Sequence, residues 1–527
     1  MTIEKSFTPP TERGNERRDR MAQWFMAAVA AGLVWRLARF GLHFEITGDE
    51  SGILRSVLKR GYAGLLEPLS YSNVSPPMFL WLTKLVDSLF QSDWAARVIP
   101  FLAGMGAVVM FGLICRATLA GMARWLAWAV FCVAYVPVVE GTRVKGYTID
   151  LLLATVMLWL MLRWLLEGRK ARYLVGLALC APVFVWMSYT SVFIIGAVGF
   201  VFAMCLVKPF SVPDEAQTQC RGLGWGNVSA GLAFVALAAI SVMFLYELNI
   251  RPGLEASVGN GLADSWKRGY PPDRPWRIPL WLVRVHTGRG FAWPVGGNDF
   301  CSSLTCGLWL TGLVVYWRRG NRRVWALLVG PQVLSLAAAF LHKYPYLQNP
   351  RLCMFLGPGI CLFAGSGAQY LMDLIKREKW RRRCYVATAL ALGMCAVGGL
   401  GRDIVMRMRE VNGPGIRSTL AEASRLVGPD GQFALLNDES NSGVFSYYIR
   451  REVKQKVLRN GEMPTATGPG QRLALVAIGT EISDPKQNPL LGDFARRWGR
   501  PIKVMWSQTA HQVLQDTKDR LVVWVCE

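Results

Sequence analysis

Long apolar runs separated by short basic stretches dominate the chain. A helix needs about 20 mainly apolar residues to cross the hydrocarbon of a bilayer, with about 17 to 25 tolerated. Runs of this kind begin near Met21, Ala95, Trp125, Tyr147, Tyr173, Ser191, Val228, Leu304, Val324, Cys353 and Tyr385. They predict about eleven spans and a mostly α, polytopic helical membrane protein. The first run follows a polar, arginine-rich stretch and has no small-residue cleavage site after it, so it reads as a retained span.

Lysine and arginine set the orientation. The N-terminal tail holds Arg13, Arg17, Arg18 and Arg20, and alternate loops hold Arg116 and Arg124, then Arg169, Lys170 and Arg172, then Lys208 and Arg221. Arg318, Arg319, Arg322 and Arg323 follow, and last Lys376, Arg377, Lys379, Arg381, Arg382 and Arg383. All these loops fall on the side of the N-terminus, which the positive-inside rule makes cytoplasmic.

The predicted organisation is a cytoplasmic basic tail (1–20), a transmembrane domain (21–402) and an extracytoplasmic domain (403–527). The transmembrane domain has a first outer loop over about 44–93. In that loop Ile53, Leu54, Val57, Leu58, Tyr62, Leu65 and Leu66 recur at helical spacing, with Arg55, Ser56, Lys59 and Arg60 opposite. This predicts a helix lying in the membrane interface. Pro76–Pro77 then open a second helix from Met78 to Phe90, and Ser92–Asp93 cap the next span. After residue 402 the chain is polar and mixed, with short apolar runs at Phe433–Leu436, Leu473–Ile478 and Leu521–Val525. It predicts a small C-terminal α/β domain with a core of its own.

Composition agrees with lipid burial. Of 527 residues, 52% are hydrophobic and only 18% charged, against about 25% charged in soluble domains. The 21 tryptophans suit a membrane–water interface. The net charge of +23 sits in clusters between apolar runs, which fits cytoplasmic anchors and an anionic lipid rather than a nucleic-acid surface. The 12 cysteines form no CxxC pair and no metal-ligand spacing. Cys301 and Cys306 lie near a predicted outer face and are candidates to pair.

Candidate chemistry gathers on the outer face. Gly48-Asp49-Glu50 follows the first span. These carboxylates either favour a helix start or place a base at the outer surface, able to take a proton from an acceptor hydroxyl. A second cluster runs from Glu140 through Arg143, Lys145 and Tyr147 to Asp150, with cations on the side where the orientation rule does not expect them. An aspartate inside a span costs about 2.5–3.5 kcal/mol at its centre and less near an end. Its other reading is internal Arg–Asp pairing. A third cluster runs from His342 and Lys343 to Arg351, and Arg36 and Arg39 are equally out of place. Together these residues form a cationic collar beside one acidic pair, which suits a phosphate leaving group. No Walker loop, HExxH motif or Gly-x-Ser-x-Gly elbow is present, so ATPase, zinc-protease and serine-hydrolase classes lack support. The four histidines, His43, His286, His342 and His511, form no local ligand set.

The order of a span, Asp49-Glu50, an interfacial helix, Pro76-Pro-Met-Phe-Leu-Trp-Leu82 and Ser92-Asp-Trp-Ala-Ala-Arg-Val-Ile-Pro100 resembles the GT-C membrane glycosyltransferases. Within them it is similar to bacterial relatives of protein O-mannosyltransferases and aminoarabinose transferase. Lys145-Gly-Tyr147-Thr-Ile-Asp150 resembles their second-loop Lys/Arg-x-Tyr-x-x-Asp motif. Lys343-Tyr-Pro-Tyr…Arg351…Phe355-Leu-Gly-Pro358 resembles their late Tyr-Pro…Arg…Phe-Leu-x-Pro motif. The likeness runs from about Thr47 to Pro358; the residues after 402 resemble no named family. Arg143 stands where many relatives carry an acidic residue, and Ser75 precedes Pro-Pro where several have a basic one.

The resemblance implies a polyprenyl-phosphate sugar donor, inverting transfer and an extracytoplasmic site in a bacterial inner membrane. The enzyme would be a hexosyl- or pentosyltransferase. Asp49 would be the general base or acceptor-positioning carboxylate, with Glu50 supporting it. Lys145, Arg143, Lys343 and Arg351 would hold the lipid phosphate, Tyr147 would orient the site, and Asp150 and Glu140 would support it. Some relatives bind a divalent metal through such acidic groups, which would make Asp49 the ligand here. The acceptor class (protein, lipid or polysaccharide) stays open, since pocket shape decides it. Two other classes compete. A transporter or flippase predicts repeat-like halves and charges at mid-membrane, whereas these charges gather at one face. A non-catalytic scaffold or sensor would leave Asp49 dispensable.

Overall fold

The computed structural model describes residues 12–69, 74–207, 224–257, 266–320, 322–412, 415–436, 447–449, 453, 455–458, 472–479, 489–498, 503–511 and 520–526. Lys208 and Arg221 lie outside these residues, as do the side chains of Arg13, Arg17, Arg18, Arg20 and Asp49. Backbone proximity divides the chain into two units. One comprises Met1–Gly41, Tyr62–Pro68 and Val74–Leu400; the other comprises Leu42–Gly61, Leu69–Asn73 and Gly401–Glu527.

The first unit is helical, and a helix occupies each of the eleven predicted positions. Among the described residues six stretches are long and apolar enough to cross a membrane: Met21–Gly41, Asp93–Thr118, Tyr147–Leu166, Trp225–Glu255, Arg322–Phe340 and Glu378–Met408. The chain is therefore a multi-pass membrane protein. Five further helices, Ala123–Cys132, Arg172–Met187, Ser191–Leu206, Ser303–Arg318 and Gly357–Asp373, are 10 to 17 residues long. Gly357–Asp373 is buried from its first residue to Ala368. It packs closely on Ser303–Arg318, because a Cβ at Gly312 would lie 1.8 Å from the Phe363 carbonyl oxygen, and one at Gly367 would lie 2.0 Å from that of Leu308. Small residues of this kind let membrane helices approach backbone to backbone.

One helix is interrupted. Ala123–Cys132 ends, and Tyr135–Glu140 begins after two intervening residues, Val133 and Ala134. A break inside an apolar region frees backbone groups that need partners. Arg36 Nη2 donates to the Cys132 carbonyl at 3.1 Å, and the Tyr135 N–H donates to the Pro294 carbonyl at 3.1 Å. A cation at a helix C-terminus also meets the negative end of the helix dipole. Cys301 and Cys306 do not pair; both are free thiols, the first exposed and the second buried.

The second unit contains a five-stranded sheet: β1 (Gln432–Leu435), β2 (Lys456–Leu458), β3 (Leu473–Gly479), β4 (Val504–His511) and β5 (Arg520–Cys526). Its order is β2-β1-β3-β5-β4. β1 pairs parallel with β2 and β3, whereas β5 pairs antiparallel with β3 and β4. Leu473 and Leu475 of β3 and Val522, Trp524 and Cys526 of β5 alternate onto one face, where they form a core with Ala434, Leu458 and Phe494. The helix Ile416–Val427 packs on β3, β4 and β5 and buries Ile416, Thr419, Leu420, Ala423 and Val427, an apolar stripe at helical spacing. The three apolar runs after residue 402 coincide with β1, β3 and β5.

Candidate active site

The chain leaves Tyr135–Glu140 through a turn and enters the Tyr147–Leu166 helix, so the second-loop cluster sits at the mouth of a span. Glu140 is buried, and its Oε1 pairs with Arg143 Nη1 at 2.9 Å. The Thr142 hydroxyl donates to the Val139 carbonyl at 2.9 Å and accepts from Arg39 Nε at 3.1 Å. The Lys145 N–H donates to the Arg143 carbonyl at 2.8 Å, and the residue is 7% exposed. Thr148 anchors the helix start by donating to the Pro100 carbonyl at 2.7 Å. Asp150, in the first turn, lies near the Ser188 side chain. Arg39 therefore steadies the turn through Thr142, and the pairing for Arg143 is with Glu140.

The late cluster lies between the helices Arg322–Phe340 and Gly357–Asp373. Its Met354–Leu356 turn packs on the Tyr147–Leu166 helix, which joins the two loops. The Arg351 guanidinium stands 5.9 Å from the Tyr147 ring centre, within cation–π range. Tyr344 donates to the Leu352 carbonyl at 2.8 Å and sits among Phe193, at 5.3 Å between ring centres, and Trp266, at 6.3 Å. It lies near Asp150 and Tyr147, and burial pushes its hydroxyl well above the ordinary phenol range. Lys343, in contrast, is exposed. Within the first unit, then, Tyr147, Asp150, Tyr344 and Arg351 come together.

A polar knot beside them was not legible in the sequence. Between the apolar helices Arg172–Met187 and Ser191–Leu206, the Tyr189 hydroxyl shares its proton between the Ser75 carbonyl at 2.9 Å and the Asn249 side-chain carbonyl. Asn249 Nδ2 donates to the Leu66 carbonyl at 2.8 Å. Burial raises the Tyr189 hydroxyl's pKa, which keeps it a donor. The available signal was three polar residues, Ser188-Tyr-Thr190, between two apolar runs.

Asp49 and Glu50 lie in the second unit, in the helix Gly48–Lys59. Glu50 is fully buried, and its Oε2 accepts from both the backbone N–H and the hydroxyl of Thr47, each at 2.9 Å. This is a capping box, a carboxylate three residues into the helix reaching back to the cap. Ser51, Arg55 and Ser56 are buried along with Ile53, Leu54 and Val57. Asp49 holds the position before Glu50. Among the described residues no three His, Cys, Asp or Glu side chains are grouped to hold a metal ion.

No protein-family model matches the chain, and no curated protein matches it. Its structure is similar to the crystal structure of ArnT from Cupriavidus metallidurans bound to undecaprenyl phosphate, with 12% identity and a TM-score of 0.53 over 95% of this chain and 98% of that one. The chain shares the fold of that protein. The same ArnT in the apo state gives the same values. The archaeal oligosaccharyltransferase AglB from Archaeoglobus fulgidus, in complex with an inhibitory peptide and a dolichol-phosphate, is 11% identical with a TM-score of 0.42, over 81% of this chain and 64% of that one. With 95% of the chain covered, the likeness in fold extends beyond the transmembrane part. A shared fold gives the architecture; the chemistry rests on the side chains placed on it.

Proposed function

We propose that this protein transfers a hexosyl or pentosyl group from a polyprenyl-phosphate donor to an acceptor on the extracytoplasmic side of a bacterial inner membrane. Its N-terminus is then cytoplasmic and its C-terminal unit extracytoplasmic. Asp49 takes the proton of the attacking acceptor hydroxyl as the sugar–phosphate bond breaks. Arg351 and Lys145, with Arg143 and Lys343, carry the charge that develops on the departing lipid phosphate, and Tyr147 fixes Arg351 in place. The observation that carries this reading is Arg351 over Tyr147, which brings the late basic loop against the start of the Tyr147–Leu166 helix. A likeness to a protein whose structure holds undecaprenyl phosphate is in keeping with it.

The test is sugar transfer by wild type and Asp49→Asn in detergent, over a panel of polyprenyl-phosphate sugars, scoring released carrier phosphate and glycosylated product. Turnover by wild type and loss of most activity in a folded Asp49→Asn supports the reading. Equal turnover moves the base elsewhere, Asp150 or Glu140 being next. Absence of turnover with every donor favours a flippase or a scaffold.

A further inference from the structure

The C-terminal unit has a task in this fold that its sheet alone does not reveal. The segment Leu42–Gly61 is covalently continuous with the first membrane helix, yet it packs with Gly401–Glu527. Two contacts grip it just ahead of the acidic pair. The Ile46 N–H donates to the hydroxyl of Tyr448, 402 residues downstream, at 2.9 Å, and Tyr448 is 2% exposed. The Glu45 carboxylate lies against Gly415, where an added Cβ would stand 2.8 Å from its Oε1. Gly415 is the N-cap of the helix Ile416–Val427 and brings no side chain to that cap, so a carboxylate there meets the positive end of the helix. The next residue, Thr47, caps the helix that carries Asp49, with Glu50 closing the capping box. A continuous run of held groups thus leads from the C-terminal unit through Glu45, Ile46 and Thr47 to Asp49.

We propose that the C-terminal unit is the holder of the Asp49 segment, with Tyr448 and Glu45 as its positioning residues; this rests on the reading of Asp49 as the base. Orientation is where such a holder contributes, since a displacement of about 1 Å at a reacting group can cost up to about 100-fold in rate.

The full-length protein tests this with Tyr448→Phe, which removes the acceptor of the Ile46 N–H, and Gly415→Ala, which presses on Glu45 while leaving that hydrogen bond in place. Hydrogen exchange at residues 46–52 is measured with kcat and KM for an undecaprenyl-phosphate sugar that wild type turns over, and Asp49→Asn is run alongside. Exchange at Ile46 should rise roughly tenfold in Tyr448→Phe. In both variants kcat per folded molecule should fall roughly tenfold or more, with the donor KM unchanged. A merely structural role would lower the folded fraction and leave kcat per folded molecule alone. Unchanged exchange at 46–52, or faster exchange with full kcat while Asp49→Asn is inactive, overturns the proposal. Full activity of Asp49→Asn removes the Asp49 reading itself and the proposal with it, a result readily told apart from the others.

Discussion

The guanidinium of Arg351 lies 5.9 Å from the ring centre of Tyr147, across 204 positions of sequence. A cation over an aromatic face is held at modest cost, worth about 0.5–2 kcal/mol depending on desolvation, and the planar fork of a guanidinium matches the geometry of a phosphate. Arg351→Ala should lower kcat/KM for the lipid donor by about 100-fold or more. Arg351→Lys should recover only part of that, because a point charge lacks the bidentate geometry. Tyr147→Phe keeps the ring and should stay within a few-fold of wild type, whereas Tyr147→Ala should approach the arginine variants. Steady-state kinetics across these four variants checks the order. Equal activity of Arg351→Ala and wild type would remove Arg351 from phosphate binding.

Glu50 presents a contrast between two roles for one carboxylate. Its Oε2 closes the capping box on Thr47, a task glutamine performs as well as glutamate. Glu50→Gln should therefore keep both stability and activity close to wild type, while Glu50→Ala should lose about 0.5–2 kcal/mol of local stability. Thermal unfolding and hydrogen exchange over 48–52 give the measurement. A Glu50→Gln protein that folds normally but is inactive would show that the charge itself takes part in the reaction.

The Glu140–Arg143 pair is buried on its acidic side, at 3% side-chain exposure against 24% for the arginine. Removing one member of such a pair leaves a charge in poor surroundings, which costs more than removing both. Arg143→Leu should lower the melting temperature in detergent more than the double variant Glu140→Gln/Arg143→Leu. The expected gap is about 1–3 kcal/mol. A double variant at least as unstable as the single one would show that Glu140 is stabilised chiefly by its other neighbours.

Much of this was legible in the sequence, for a physical reason. A bilayer demands an apolar run for each crossing, so the helix positions could be read from hydropathy alone. The core strands β1, β3 and β5 showed as apolar runs, but β4 did not, since Ser507, Gln508, Thr509 and His511 interrupt its apolar pattern at the sheet edge. The break at Val133–Ala134 was hidden because its partners, Arg36 and Pro294, lie far away in sequence. Its one local sign was Pro137, a residue suited to a first helical turn. The Asp49-Glu50 motif stood out at once, but the packing of residues 42–61 with the C-terminal unit did not. That packing depends on Tyr448 and Gly415, and no periodicity reports contacts between residues about 370 to 400 positions apart.

His286 lies in a short helix (Ile278–Thr287) outside the six stretches that, among the described residues, are long and apolar enough to cross a membrane. Its Nδ1 lies 2.8 Å from the Leu282 carbonyl, and its Nε2 lies 3.1 Å from the Tyr346 hydroxyl. With the Nδ1–H donating to the carbonyl, Nε2 accepts from tyrosine, so the neutral ring fits both partners. Burial lowers the pKa of this imidazole below its ordinary 6.5, an effect that the Leu282 hydrogen bond opposes, and burial also keeps Tyr346 protonated. The direction follows from linkage. Below pH 6.5 the unfolded chain binds a proton that the folded chain refuses, so the stability present at neutral pH is lost as pH falls toward the folded-state value. Melting temperatures of wild type should drop between pH 7 and pH 5 by more than those of His286→Gln, an uncharged polar replacement that does not titrate. Parallel pH profiles for the two proteins would mean that His286 takes up its proton without penalty in the folded state, and that the Tyr346 contact is not what keeps the ring neutral.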